Sequence, residues 1–151
     1  MYGGDEVSAI VLDMGTHSVK AGYAGQDTPQ HVFPSSVGTS AKTGDVEMTE
    51  GGSSSTRNFY VDGLGTRRDG VDVESPFGDD GVVEDWEAVA AIWDHALKKC
   101  LTIQTDEHPV LMSEPVHNTD AAREKMVELL FEKHAPQNLA ADLDCQLLTL
   151  I

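Results

Sequence analysis

The sequence predicts an α/β fold, and a few stretches of it carry that prediction. Residues 7–11 form an apolar run rich in β-branched side chains, and residues 19–24 form a second one after a short polar turn, which is typical of a β-hairpin. Residues 85–100 place apolar side chains at helical spacing. Residues 108–115 hold a short apolar run between prolines, which predicts a buried strand.

The composition narrows the classes of function. At 151 residues the chain can bury a core as one domain. Its 26 Asp and Glu against 10 Lys and Arg give a formal charge of −16, which argues against a direct DNA-binding patch and favours partners with basic surfaces. Cys100 and Cys145 show no Cys-x-x-Cys pairing, which favours a reducing compartment. We expect no signal peptide and no membrane partner, because no basic leader or long apolar run is present.

The hairpin turn at residues 15–18 is the first candidate site. Its backbone N–H groups can form a concave nest that suits phosphate oxygens, and the hydroxyls of Thr16 and Ser18 add donors. Lys20 adds a positive charge, and Asp13 can hold Mg²⁺ through water. The alternative is an ordinary surface hairpin, since the stretch is neither a Walker loop nor a Rossmann fingerprint.

The middle of the chain predicts fewer regular elements. Residues 32–38 read as a short extended piece broken by a proline. Residues 39–57 are rich in Ser, Thr, Gly and Glu and predict a flexible insert. Residues 59–61 predict a short strand, and residues 62–82 are polar and rich in glycine.

The predicted helices are justified by their ends and faces. In the first, Asp85 and Glu87 suit the N-terminus, and two tryptophans read as core anchors. Asn118 is the expected N-cap of a second helix that ends near Lys133. Its predicted apolar face consists of Ala122, Met126, Leu129 and Leu130. From Leu139 onward, leucines about every four residues predict a third, amphipathic helix.

Other clusters of polar residues give weaker candidates. A metal site made of His95, Cys100 and His108 matches no known zinc spacing and is set aside. A nucleophile triad is set aside because no Gly-x-Ser-x-Gly elbow is present; its members would be Ser113, Glu114 and His117. The acidic pairs at 79–80 and 84–85 read as a solvated loop that leads into a helix.

The order of several short motifs resembles the actin family. The hairpin segments 13–16 and 19–25 resemble the first phosphate-binding hairpin of actins. In family order there follow the segments 33–38, 81–86, 92–95, 107–111 with Glu114, and 123–126 with 131–132. The resemblance covers about residues 7–134. It implies the actin/Hsp70/sugar-kinase fold, of which this chain would be a first-lobe fragment with a mixed sheet and flanking helices.

The resemblance also implies a ligand and roles for individual residues. ATP with Mg²⁺ would bind between two lobes, with the metal near Asp13. Gly15, Thr16 and His17 would donate hydrogen bonds to the phosphates, and Lys20 would reach them. Half of such a site should bind nucleotide weakly, and no catalytic residue is predicted.

Within the family, the likeness is greatest to nuclear actin-related proteins. That branch implies a structural subunit of chromatin-remodelling and histone-acetyltransferase complexes in the nucleus. The implied partners are actin and the large subunit of the complex, with histones as further candidates. The alternatives are a filament-forming, cytoskeletal ATPase and a truncated, non-functional fragment. We expect residues 1–134 to be the N-terminal part of the actin-like domain and residues 135–151 to be a divergent tail.

Overall fold

A computed structural model describes residues 8–41, 57–136 and 139–142 of the chain. The strands are β1 (Ile10–Met14), β2 (Ser18–Tyr23), β3 (His31–Pro34), β4 (Val37–Ala41), β5 (Arg57–Tyr60), β6 (Asp72–Glu74), β7 (Val110–Ser113) and β8 (Leu139–Asp142). The helices are α1 (Trp86–Asp94) and α2 (Asp120–His134). A π-helical segment, His95–Cys100, continues α1, and a 3-10 turn covers Thr105–Glu107.

The main sheet has five strands in the order β3-β2-β1-β7-β8. β1, β2 and β3 pair antiparallel, with Ile10 opposite Tyr23 in the first pair. β7 and β8 extend the sheet in parallel beside β1, with Ile10 opposite Val110. This mixed sheet with helices confirms the predicted α/β class and the predicted hairpin.

The core lies on one face of this sheet, which we call the inner face. Alternating side chains of β1, β2 and β7 are buried there: Ile10, Leu12, Val19, Ala21, Val110 and Met112. They pack against Val89, Ile92 and Trp93 of α1 and Met126 and Leu130 of α2. Both helices therefore cover the same face. Trp93 is a core residue as predicted, and Trp86 is a partly buried residue packed against the core.

Helix α1 begins where the sequence predicts. Asp85 is its N-cap, and its carboxylate accepts hydrogen bonds from the N–H groups of Glu87 and Ala88, both at 3.1 Å. The predicted span of 85–100 is confirmed as helical, but its last six residues are π-helical, a change that the apolar spacing does not reveal.

A small antiparallel sheet, in the order β5-β4-β6, stands beside α1. Arg57 at the start of β5 forms ion pairs with Asp85 at 2.8 Å and Glu87 at 3.1 Å, which tie this sheet to the helix N-terminus. The flexible insert predicted for residues 39–57 therefore has strand structure at both ends, and residues 42–56 lie outside the described part. β6 also gives a strand to the polar stretch 62–82.

Helix α2 confirms the second predicted helix with a shifted cap. Thr119, not Asn118, is the N-cap, because its hydroxyl accepts from the N–H of Ala122 at 3.1 Å. The Asn118 amide instead donates to Glu114. Among the described helices, none is long and apolar enough to cross a membrane.

The prediction of a helix from Leu139 onward is wrong over residues 139–142. This segment is β8, which pairs in parallel with β7 and places Leu139 opposite Val110. Pairing with the edge of the sheet gives the backbone N–H and C=O groups of this segment hydrogen-bond partners. This contact with a distant strand outweighs the helical spacing of the leucines. Residues 143–151, with the rest of the predicted helix, lie outside the described residues.

Candidate functional site

An open cleft of about 430 Å³ lies where strands β1 and β7 end. Its walls consist of residues 13–16, 77–81 and 113–115, together with His117. Residues 13–16 lie at the end of β1, and residues 113–115 lie at the end of β7. These two strands are parallel neighbours, so their carboxyl ends meet at the same edge of the sheet. Ligands of open α/β sheets commonly bind at such an edge. The cleft is therefore the main candidate site in the described part of the chain.

Asp13 is held from two sides at the mouth of the cleft. Its Oδ1 accepts a hydrogen bond from the Ser113 hydroxyl at 2.6 Å, and its Oδ2 lies 3.1 Å from the Lys20 ammonium. Its side chain is only 14% exposed. Each carboxylate oxygen has further lone pairs, so the group can still accept a hydrogen bond from a metal-bound water. Metal binding at Asp13 stays a prediction.

The hairpin turn offers fewer phosphate donors than its sequence suggests. The Gly15 N–H already donates to the Ser18 carbonyl oxygen at 3.1 Å, so a phosphate would have to displace that bond. Thr16 lines the cleft. His17 lines a separate depression near Phe33, on the other side of the turn. Of the five predicted site residues, Asp13, Gly15 and Thr16 line the cleft, whereas His17 and Lys20 do not; the ligand roles of all five remain predictions.

Glu114 is a buried carboxylate in the cleft wall, and the sequence reasoning missed its pairing with Arg123. It is 3% exposed, and its oxygens accept from Arg123 Nε at 3.0 Å and Asn118 Nδ2 at 2.8 Å. Burial raises the pKa of Glu114, but the bonds from Arg123 and Asn118 outweigh it, so this pKa lies below its usual value. The signal in the sequence was the spacing of nine residues from Glu114 to Arg123, which does not by itself specify a pair.

The structure brings Ser113, Glu114 and His117 into one cleft but does not form a triad. The Ser113 hydroxyl donates to Asp13, and His117 Nε2 donates to the Asp80 carbonyl oxygen at 2.8 Å. Glu114 is engaged by Arg123 and Asn118. A nucleophile needs a base within hydrogen-bond reach, and these residues have other partners.

The cleft lining is rich in acidic side chains, and Lys20 and Arg123 pair with two of them from outside the lining. Its described lining holds four carboxylates and no Lys or Arg; the carboxylates are Asp13, Asp79, Asp80 and Glu114. The pair at 79–80, predicted to be a solvated loop, is part of the cleft wall. The carboxylates of the lining repel a polyphosphate, and a cation bound beside them would reduce this repulsion.

The histidines of the metal set that the sequence analysis set aside have separate surroundings. His108 Nδ1 donates to the Ser8 carbonyl oxygen, whereas His95 lies 3.3 Å from Asp62 and packs edge-on against Phe33. Within residues 8–41, 57–136 and 139–142, no three His, Cys, Asp or Glu side chains could hold a metal together.

Comparison with known proteins defines the class. The family model described as Actin matches residues 4–142, and the chain belongs to the actin family. It is 45% identical to Actin-related protein 4 of Oryza sativa subsp. indica over 89% of this chain and 35% of that protein. It is 47% identical to Actin-related protein 4 of Arabidopsis thaliana, over 89% of this chain and 34% of the relative. Actin-related protein 4A of Arabidopsis thaliana is also 47% identical, over 83% of this chain and 94% of the relative. The chain thus spans about a third of the two longer relatives and nearly all of the short one.

Proposed function

We propose that this chain is an actin-related subunit of nuclear chromatin-remodelling and histone-acetyltransferase complexes. Its partners there are actin and the large subunit of the complex, with histones as further candidates. The supporting observation is the 45–47% identity to proteins named Actin-related protein 4 over most of this chain. The charge of −16 adds support, because basic chromatin proteins are its natural electrostatic partners.

The role is structural rather than catalytic. Asp13, Gly15 and Thr16 reach the cleft from one side, and the described lining supplies no cation to a phosphate. Asp13 fits Mg²⁺ held through water, and the Thr16 hydroxyl can donate to a phosphate. Lys20 is already paired with Asp13, so it would contact a nucleotide with the remaining N–H groups of its ammonium. Bound ATP would supply negative oxygens that complete the shell of the metal, and this chain would hold it weakly.

Assembly is tested with the tagged full chain expressed in its native cells. The tagged chain is purified from nuclear extract by affinity chromatography. The molar amount of each co-purified protein is then compared with that of the chain. We expect actin and one large complex subunit in comparable molar amounts. A chain that stays outside the nucleus, or pellets with filaments, would contradict the proposal and favour the cytoskeletal alternative.

Nucleotide binding is tested separately by calorimetry on the purified chain. We expect weak binding of ATP that requires Mg²⁺ and disappears in Asp13→Ala. Asp27→Ala is the matched control, because Asp27 is an exposed carboxylate outside the cleft lining. Binding that persists without Mg²⁺ or in Asp13→Ala would show that the cleft does not work in this way.

A further inference from the structure

Helix α2 exposes apolar side chains on the side that points away from the core. Phe131 is 44% exposed and Val127 is half-buried, whereas the polar His134 of the same helix is buried. A surface helix normally turns its charged and polar side chains outward and its apolar ones inward. The outward side of α2 therefore carries apolar surface that the described part of the chain leaves in contact with water.

Two rows of side chains run along this side of α2 at intervals of four residues. The first row, which we call the acidic ridge, consists of four exposed carboxylates: Asp120, Glu124, Glu128 and Glu132. The second row, which we call the mixed ridge, consists of Arg123, Val127 and Phe131. Residues four apart on a helix form such ridges, and the groove between two ridges accepts a ridge of another helix. The surface relief of α2 is therefore of the kind that packs against a helix.

A shallow groove of about 610 Å³ is lined by members of both ridges: Asp120, Arg123, Glu124, Val127 and Glu128. The Arg123 guanidinium is already engaged, since it pairs with Glu114 at 3.0 Å and with Asp120 at 2.9 Å. Glu124 and Glu128 form no ion pair with any residue that the structure describes. The groove thus has two carboxylates without a cation beside an apolar strip.

The acidic ridge lowers the stability of the helix that carries it. Like charges four residues apart on a helix repel each other, and Glu128 has such a neighbour on both sides, Glu124 and Glu132. The lysines of α2 do not offset this repulsion, because Lys125 and Lys133 each lie four residues from Leu129 rather than from a carboxylate. Cations from a partner would remove the repulsion.

The chemistry of the groove selects one class of partner. Its carboxylates repel nucleic acid, an anionic membrane surface and a second copy of this chain, whose formal charge is −16. We propose that the groove along α2 docks a basic amphipathic helix of another protein. Its Lys or Arg side chains lie against the acidic ridge, and its apolar side chains lie against Val127 and Phe131. This contact goes beyond the proposed function and uses neither the cleft nor a nucleotide.

The test measures binding of a synthetic helical peptide to the purified full chain by fluorescence anisotropy. The labelled peptide has about 20 residues of Leu, Ala and Lys, ordered so that the helix has one apolar and one basic row. We expect saturable, one-to-one binding that weakens as salt is added. A second peptide has the same composition in an order that forms no apolar row, and it should bind about tenfold more weakly.

Paired substitutions separate the groove from the overall charge of the chain. Glu124→Gln combined with Glu128→Gln removes the two unpaired carboxylates and should weaken binding about tenfold. Asp27→Asn combined with Asp69→Asn is the matched control, because it removes the same charge from two exposed positions outside α2. The control should bind nearly as the unchanged chain does. Phe131→Ala should also weaken binding, although it changes no charge.

The proposal is overturned if the ordered peptide does not bind or if the reordered peptide binds as tightly. It is also overturned if the Asp27 and Asp69 control weakens binding as much as the Glu124 and Glu128 variant does, since net charge alone would then explain the attraction. Binding that Phe131→Ala leaves unchanged contradicts the apolar contact. Exposed Glu→Gln changes in a helix preserve helix propensity, and circular dichroism of each variant confirms that it is folded.

Discussion

The buried pair between Glu114 and Arg123 gives the most direct test of how the cleft is held together. The Glu114 side chain is 2% exposed, and both of its oxygens lie 3.0 Å from Arg123 Nε. Arg123→Met keeps the length of the side chain on α2 but leaves a buried carboxylate with only the Asn118 amide as its partner. The unpaired negative charge of Glu114 is therefore the main cause of the expected loss of stability.

The size of the effect follows from burial. Removing one partner of a buried ion pair lowers the free energy of unfolding by about 3–5 kcal/mol. The Arg123 side chain is 35% exposed, so solvent already screens part of its attraction, and the Asn118 bond survives. We therefore expect a loss of about 2–3 kcal/mol in the free energy of unfolding, or a fall of about 4–12 °C in the melting temperature.

Urea unfolding followed by tryptophan fluorescence measures this loss as a lower midpoint with an unchanged slope. Lys125→Met is the matched control, because Lys125 is an exposed cation on the same helix, and it should change stability by less than about 0.5 kcal/mol. Adding Glu114→Gln to Arg123→Met should recover part of the loss, since no charge is then left unpaired. If Arg123→Met is no more harmful than Lys125→Met, the pair does not stabilise the cleft and the reasoning is refuted.

Three further changes have defined outcomes. Burial lowers the pKa of His134 and of His95 below that of an unfolded histidine. Near and below about pH 6.5 the unfolded chain therefore binds more protons than the folded chain, and stability falls as the pH drops. His134→Phe should make this fall shallower in urea titrations at several pH values, and an unchanged pH dependence would contradict the assignment. Gly81 has φ of 78°, so Gly81→Ala should cost about 1–2 kcal/mol in thermal melts, whereas Gly65→Ala, with open space around it, should cost less. Thr119→Ala removes the N-cap of α2 and should cost about 1 kcal/mol by the same measurement; no loss would show that another residue caps the helix.

The hairpin and α1 could be predicted because their signals are local. The alternation of buried and half-buried residues in β1 is a property of five consecutive residues. The N-cap Asp85 likewise binds N–H groups two and three residues away. Such features need no knowledge of the rest of the chain, and the sequence therefore predicts them well.

The features that sequence reasoning missed depend on distant partners. Asn118 and Thr119 are both good caps by type, and the choice between them depends on Glu114, which takes the Asn118 amide. Strand β8 forms because β7 offers it an edge. The contact of Asp13 with Ser113 joins residues 100 positions apart, and no spacing rule predicts it.

Asp13 connects the cleft with a cavity on the face of the main sheet opposite the inner face, which we call the outer face. Its carboxylate lines the cleft and also the cavity of the outer face, with Ser113 on one oxygen and Lys20 on the other. A cation in the cleft competes with the Lys20 ammonium for the same carboxylate, since two positive charges near one carboxylate repel each other. A partner on the outer face that removes water from around Lys20 strengthens the Lys20–Asp13 attraction instead. We therefore expect occupation of the outer face and binding of a cation in the cleft to oppose one another, and the linkage between them must be reciprocal.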